Sequence, residues 1–187
     1  MYETSDLRKG LKILIDNQPY IIVSSQFVKP GKGTAFTKTR IKNLLNGSVL
    51  ERTFRSGEKI GRANTEEKEM QYLYAEDAAM CFMDNTSFEQ VNIPRDVIGE
   101  DADLLGENLT VTVLFFSERP VGITLPNFVE LEVVQSEPGI KGNTATGATK
   151  PAIVSSGASI NVPLFVEQGD WLKIDTRTRS YVERVKK

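Results

Sequence analysis

One residue in this sequence is placed to act alone: Lys32, in Lys29-Pro30-Gly31-Lys32-Gly33. Glycine reaches positive φ at no steric cost, so Gly31 and Gly33 suit a tight reversal, and Pro30 holds Lys29 extended. The chemistry offered is that of a single ammonium on a slim tip, able to enter a narrow, negatively charged space. Read alone, the same residues also fit an ordinary solvated turn. Further on, Ala35 to Lys42 alternates with period two and sets Lys38, Arg40 and Lys42 on one face. That face suits phosphates, and it equally suits the wet side of a strand.

Several chemistries are excluded. The chain has no histidine and one cysteine, Cys81. Histidine acid–base catalysis, Ser-His and Cys-His pairs and a zinc site are therefore not expected, nor is any other metal or cofactor. Cys81 lies in an apolar run, Met80-Cys81-Phe82-Met83, and reads as core. Gly142 and Gly147 have the spacing of a phosphate-binding loop, but Ala148 stands where lysine is required and no helix is expected after it. The carboxylates Asp101 and Asp103 read as solvated surface rather than a catalytic pair. Trp171 reads as core rather than a base-stacking platform.

The positioning elements are strands. Leu11–Ile15, Tyr20–Val23, Ala35–Lys42 and Val49–Phe54 imply a small barrel in the first third, with Asp16 to Pro19 and Asn46-Gly47 as turns. In the middle, Gln71–Tyr74 and Met80–Met83 read as hairpin partners, Glu100–Leu105 as a short helical segment, and Leu109–Phe116 as a strand. The last third offers Phe128–Val134, Ala152–Ser155, Ser159–Val162, Trp171–Asp175 and Tyr181–Val185, the scale of an oligonucleotide-binding (OB) type barrel. Expected domains are 1–62, 63–127 and 128–187. Counted from the sequence, they carry 12 Lys/Arg against 5 Asp/Glu, 3 against 13, and 8 against 7. A basic first third points to a phosphate backbone, and an acidic middle third points to protein or solvent. No apolar run is long enough to span a bilayer and the chain starts on polar residues, so neither a membrane nor a secretory leader is expected. One cysteine fits a reducing cytoplasm.

The stretch from Lys150 to Gly169 resembles the signature of the bacterial elongation factor P family. The matching residues are Lys150-Pro151-Ala152, Gly157, Ile160-Asn161-Val162-Pro163, Val166 and Gly169. Lys29 to Phe36 resembles that family's first-domain tip, Pro126 to Leu131 its passage into the third domain, and Asp175-Thr176-Arg177 with Tyr181 to Arg184 its last strand pair. The resemblance implies an all-β chain of three barrels, a KOW/SH3-like one and two OB-like ones, arranged like the L of a tRNA. It implies a non-enzymatic factor that binds the ribosome, its RNA and proteins, between the peptidyl-tRNA and exit-tRNA sites. There it would steady the CCA end of peptidyl-tRNA and relieve stalling at consecutive prolines. Lys32 stands where many members carry a lysine extended after translation, by β-lysylation in one large subgroup, which implies a lysine-modifying enzyme as partner. The arginine-tip type is excluded.

The candidate RNA contacts are Lys38, Arg40, Lys42, Gly142, Asn143, Thr144, Arg177, Arg179 and Arg184. Two departures stand out. Asn143 replaces a common aspartate in a loop near the exit-site codon, and Arg179 occupies a turn position where glycine is common, so a different turn type is expected there. The competing reading is a general single-stranded nucleic-acid-binding module of OB domains, which needs exposed aromatic platforms and a continuous basic groove.

Overall fold

The computed structural model describes residues 1–139 and 147–187. Gly142, Asn143 and Thr144 lie outside the described residues. The described residues form three five-stranded sheets. By compactness it divides into two units, Met1–Glu67 with Leu114–Gly122, and Lys68–Val113 with Ile123–Lys187.

The first sheet holds β1 (Lys12–Ile15), β2 (Gln18–Val28), β3 (Phe36–Asn43), β4 (Val49–Arg55) and β5 (Gly61–Arg62), in the order β4-β3-β2-β1-β5. Asp16 and Asn17 both take positive φ, 49° and 62°, between Ile15 and its partner Gln18. Such a two-residue turn matches the right-handed twist of the strands it joins. Pro19 therefore lies in β2, opposite Leu14, rather than in the turn. Leu7, Ile13, Ile22, Ile41, Phe54 and Ile60 fill the core of this sheet. A bulge between Ile22 and Ser24 bends β2 as it leaves that core.

The second sheet holds β6 (Thr65–Ala75), β7 (Ala79–Asp84), β8 (Gln90–Pro94), β9 (Thr110–Phe116) and β10 (Arg119–Thr124), in the order β10-β9-β6-β7-β8. Between β8 and β9 run one helical turn, α1 (Arg95–Ile98), and a 3-10 segment, Gly99–Leu104. Cys81 is buried beside Phe82, and Tyr72 and Tyr74 pair with Phe82 and Cys81 across the hairpin.

The third sheet holds β11 (Phe128–Ser136), β12 (Thr149–Val154), β13 (Ser159–Pro163), β14 (Trp171–Asp175) and β15 (Ser180–Val185), in the order β13-β12-β11-β14-β15. β11 pairs with β14 as far as Glu132 and with β12 from Val133 onward. The bulge between Val133 and Gln135 lets one strand serve both halves of a curled sheet. A strand, not a helix, follows Gly147, in line with the expectation that no helix starts there.

The 3-10 segment packs under the third sheet inside the second unit. Leu104 and Leu105 are buried, and the Ser156 hydroxyl donates to the Asp103 carbonyl at 2.6 Å. A Cβ at Gly106 would stand 2.9 Å from Leu131 Cδ2, so the chain passes there because the position is glycine.

Candidate functional site at the Lys32 tip

The register of β2 against β3 runs to Val28 opposite Phe36, and Lys29 to Ala35 closes the gap. Gly33 takes φ +107°, whereas Gly31 does not enter the left-handed region, so one glycine of the pair makes the reversal. Gly31 has a different use: nothing lies within 4 Å of where its Cβ would be. Lys29, Gly31, Lys32 and Gly33 are all exposed. Among the described residues, Lys32 has neither an ion-pair nor a hydrogen-bond partner. An ammonium on a narrow, unpartnered loop keeps its three donors free for an external acceptor.

Behind the tip, β3 alternates as expected. Thr37, Thr39, Ile41 and Asn43 are buried, and Lys38, Arg40 and Lys42 are exposed. No carboxylate pairs with these three cations among the described residues, although Glu51 lies opposite Arg40 in the register. Lys38 sits 5.9 Å from the Phe36 ring centre. A groove lined by Thr34, Phe36, Lys38, Thr53 and Arg55 opens beside the tip, and a second one along the strands includes Lys38, Arg40 and Arg52. Arg52 and Arg55 were not singled out in the sequence. The β3–β4 register, which brings Arg55 opposite Phe36 and Arg52 opposite Thr39, was the information needed.

The C-terminal arginines are placed differently, each on a carboxylate of its own chain. Arg177 makes a two-pronged pair with Asp175, 3.1 Å to Oδ1 and 2.8 Å to Oδ2, and lies 5.6 Å from the Phe128 ring centre. The guanidinium hydrogen bond holds the Asp175 pKa down at about 2. Arg184 reaches Asp170 at 3.3 Å and lies over Phe165. Arg179 donates to both oxygens of Asp103, 2.6 Å to Oδ1, and to the Glu100 carbonyl at 3.2 Å. Its φ is +56°, the conformation glycine would take, so the turn keeps a left-handed residue at this position instead of changing type. Asp101 and Asp103 are half-buried, which corrects the expectation of solvated surface. Burial raises the Asp101 pKa, and Arg179 lowers it in part. Trp171 is half-buried in β14 with the Lys187 ammonium 4.0 Å from its ring centre. No helix among the described residues is long and apolar enough to cross a membrane.

The described residues define an all-β chain of small curled sheets that carries an exposed lysine tip. The matches to known proteins agree. Residues 3–60 match the model described as the elongation factor P KOW-like domain, residues 65–123 the elongation factor P OB domain, and residues 129–184 elongation factor P, C-terminal. The chain is 52% identical over 187 residues to elongation factor P of Desulfosudis oleivorans, covering 100% of each. It is 54% identical over 185 residues to that of Desulforapulum autotrophicum, covering 99% of each. Among solved structures it is similar in fold to eukaryotic translation initiation factor 5A from Methanococcus jannaschii, with TM-score 0.57 and 22% identity. That match covers 66% of this chain and 91% of the other. The chain belongs to the elongation factor P family and is a translation elongation factor.

Proposed function

We propose that this factor binds the ribosome in the cytoplasm, between the peptidyl-tRNA and exit-tRNA sites, and relieves stalling at consecutive prolines through Lys32. The observation that carries the reading is the free Lys32 ammonium on a loop with no side chain at either neighbour. A proline amine is conformationally restricted, so holding the reacting ends in register addresses the part of the barrier that is positional. The reaction itself remains the ribosome's. Lys38, Arg40 and Lys42 supply phosphate contacts behind the tip, and Gly142, Asn143 and Thr144 are taken as further candidate RNA contacts. Arg177, Arg179 and Arg184 reach RNA only by sharing or exchanging their carboxylates. Lys32 is the substrate of a lysine-modifying enzyme in the host, which extends its reach. The functional domains are taken as 1–62, 63–127 and 128–187.

The general single-stranded-binding alternative is disfavoured by the rings. Phe128, Phe165 and Trp171 lie under cations of the chain itself, and exposed Phe27 and Phe88 belong to different sheets, so the described residues offer no row of bare platforms. The test is Lys32→Ala in a strain lacking the wild-type factor, read with a Pro-Pro-Pro reporter. The variant should keep its melting temperature and lose rescue, because no neighbour depends on that side chain. Normal reporter synthesis by Lys32→Ala would sink the assignment.

A further inference from the structure

Phe88 is 69% exposed and has φ +60°. A bulky residue in the left-handed region is a strained outlier, unlike the Asn and Asp residues that visit it in turns. The turn between β7 and β8 enforces this conformation. Asp84 Oδ1 accepts from the Thr86 and Ser87 amides at 2.7 and 3.0 Å, and the Asp84 carbonyl accepts from the Phe88 amide at 2.9 Å. A large ring is thus held out in water at a conformational cost, by a turn built to hold it.

The other exposed phenylalanines sharpen the point. Phe128 and Phe165 each lie under lysine or arginine of the same chain. Phe27 is bare, but it stands on an ordinary strand beside the cationic tip. Phe88 combines strain, exposure and a ring over which no cation of the described residues lies. Its neighbour Glu89 is exposed, and Asp84 and Glu69 flank the same turn, with Lys68 the cation acting on Asp84. Residues 63–127 carry 3 Lys/Arg against 13 Asp/Glu. A base stacked on Phe88 would bring its phosphates against these carboxylates, whereas an arginine or lysine gains both the ring face and the acidic field.

We infer that Phe88, with Glu89 beside it, is a contact point for an arginine- or lysine-bearing protein segment. This rests on the ribosome reading above and makes that segment part of a ribosomal protein rather than ribosomal RNA. The experiment uses the full chain with a benzophenone amino acid at position 88 and purified ribosomes carrying peptidyl-tRNA with an empty exit site. Irradiation should give a crosslink to a protein peptide containing Lys or Arg. A crosslink mainly to RNA, or none while the chain still sediments with ribosomes, overturns the inference.

Phe88→Gly separates contact from folding. Glycine removes the strain but adds unfolded-state freedom, so the melting temperature should stay within about 2 °C. Ribosome affinity should fall about 3- to 30-fold, the span of a partly to fully desolvated cation–π contact. Glu89→Lys, at a side chain outside the turn's hydrogen bonds, should weaken binding most at low salt. Unchanged affinity in both variants overturns the contact while leaving the ribosome reading intact. Failure of the wild-type chain to bind ribosomes at all overturns both.

Discussion

Arg179 and Asp103 give the most exacting test of the packing inside the second unit. One guanidinium nitrogen of Arg179 reaches both Asp103 oxygens, with side chains 34% and 43% exposed, so screening limits the pair to about 1 kcal/mol of coupling. The two single substitutions should not cost the same. Arg179→Ala leaves Asp103 beside half-buried Asp101 and near Glu100, three acidic side chains without their cation. Asp103→Ala leaves Arg179 its bond to the Glu100 carbonyl and its attraction to Asp101. We expect about 1.5 kcal/mol for Arg179→Ala and about 1 kcal/mol for Asp103→Ala, with a double-mutant-cycle coupling near 1 kcal/mol. The larger loss corresponds to a fall of roughly 3 to 6 °C in melting temperature for a chain of this size. Trp171, the sole tryptophan, lies in β14 and reports the relevant sheet, so urea unfolding can be followed by its fluorescence. pH gives a second signature. Arg179 lowers the Asp101 pKa, and removing it raises that pKa further above the unfolded value. A carboxyl raised in the folded state binds its proton more tightly there, so Arg179→Ala should recover stability as pH falls through that folded pKa. A coupling below about 0.3 kcal/mol, the level of additive sites, would refute the pair.

Two further outcomes follow from local geometry. A Cβ at Gly61 would meet the Leu14 carbonyl oxygen at 2.9 Å and Leu14 Cβ at 3.2 Å, so Gly61→Ala should cost about 1–3 kcal/mol, as overpacking does. Gly31→Ala, with open space around it, should leave thermal unfolding unchanged; equal melting shifts for the two would contradict the packing described. For Asp175, carbon-detected NMR titration should give a midpoint near 2, moving toward the ordinary value of about 3.9 in Arg177→Ala. Because the folded pKa is the lower one, the stability this carboxylate contributes is present above the unfolded value and lost as pH falls toward 2. An unshifted midpoint in the wild type would remove the pair with Arg177.

What could be read from the sequence depended on whether local chemistry or register decided the matter. β3 was legible because Lys38, Arg40 and Lys42 alternate with residues that fill the sheet interior. The last sheet was legible because its strands alternate and turns bearing Gly157 and Gly169 mark off β12, β13 and β14. β10 escaped notice because Ser117-Glu118, at φ 47° and 67°, makes a left-handed turn from residues that do not advertise one. Pro19 drew the first turn too far for the opposite reason: proline signals a turn, but here it occupies a strand. At the tip, the residue types announced a reversal but could not say which glycine made it. Asp101 and Asp103 looked like solvated acids because the guanidinium that engages Asp103 comes from a turn 76 residues away. The same separation hid Arg179's role, since nothing near it in sequence is its partner.

The cations of this chain divide by what surrounds them rather than by their number. On β3, buried threonine, isoleucine and asparagine occupy the alternate positions, and among the described residues no carboxylate pairs with Lys38, Arg40, Lys42 or the tip's Lys32. Around the last sheet, Asp170, Asp175 and, from the 3-10 segment, Asp103 lie within reach of Arg184, Arg177 and Arg179 and tie those side chains down. A pinned guanidinium must give up or share a charge-assisted bond before it can take a phosphate, whereas a free one exchanges only water and counterions. Sensitivity of binding to salt should therefore reside in the first sheet, by more than the 12 to 8 difference in Lys/Arg between residues 1–62 and 128–187 would give. The acidic middle of the chain, which a phosphate backbone would repel, displays an aromatic ring in its place.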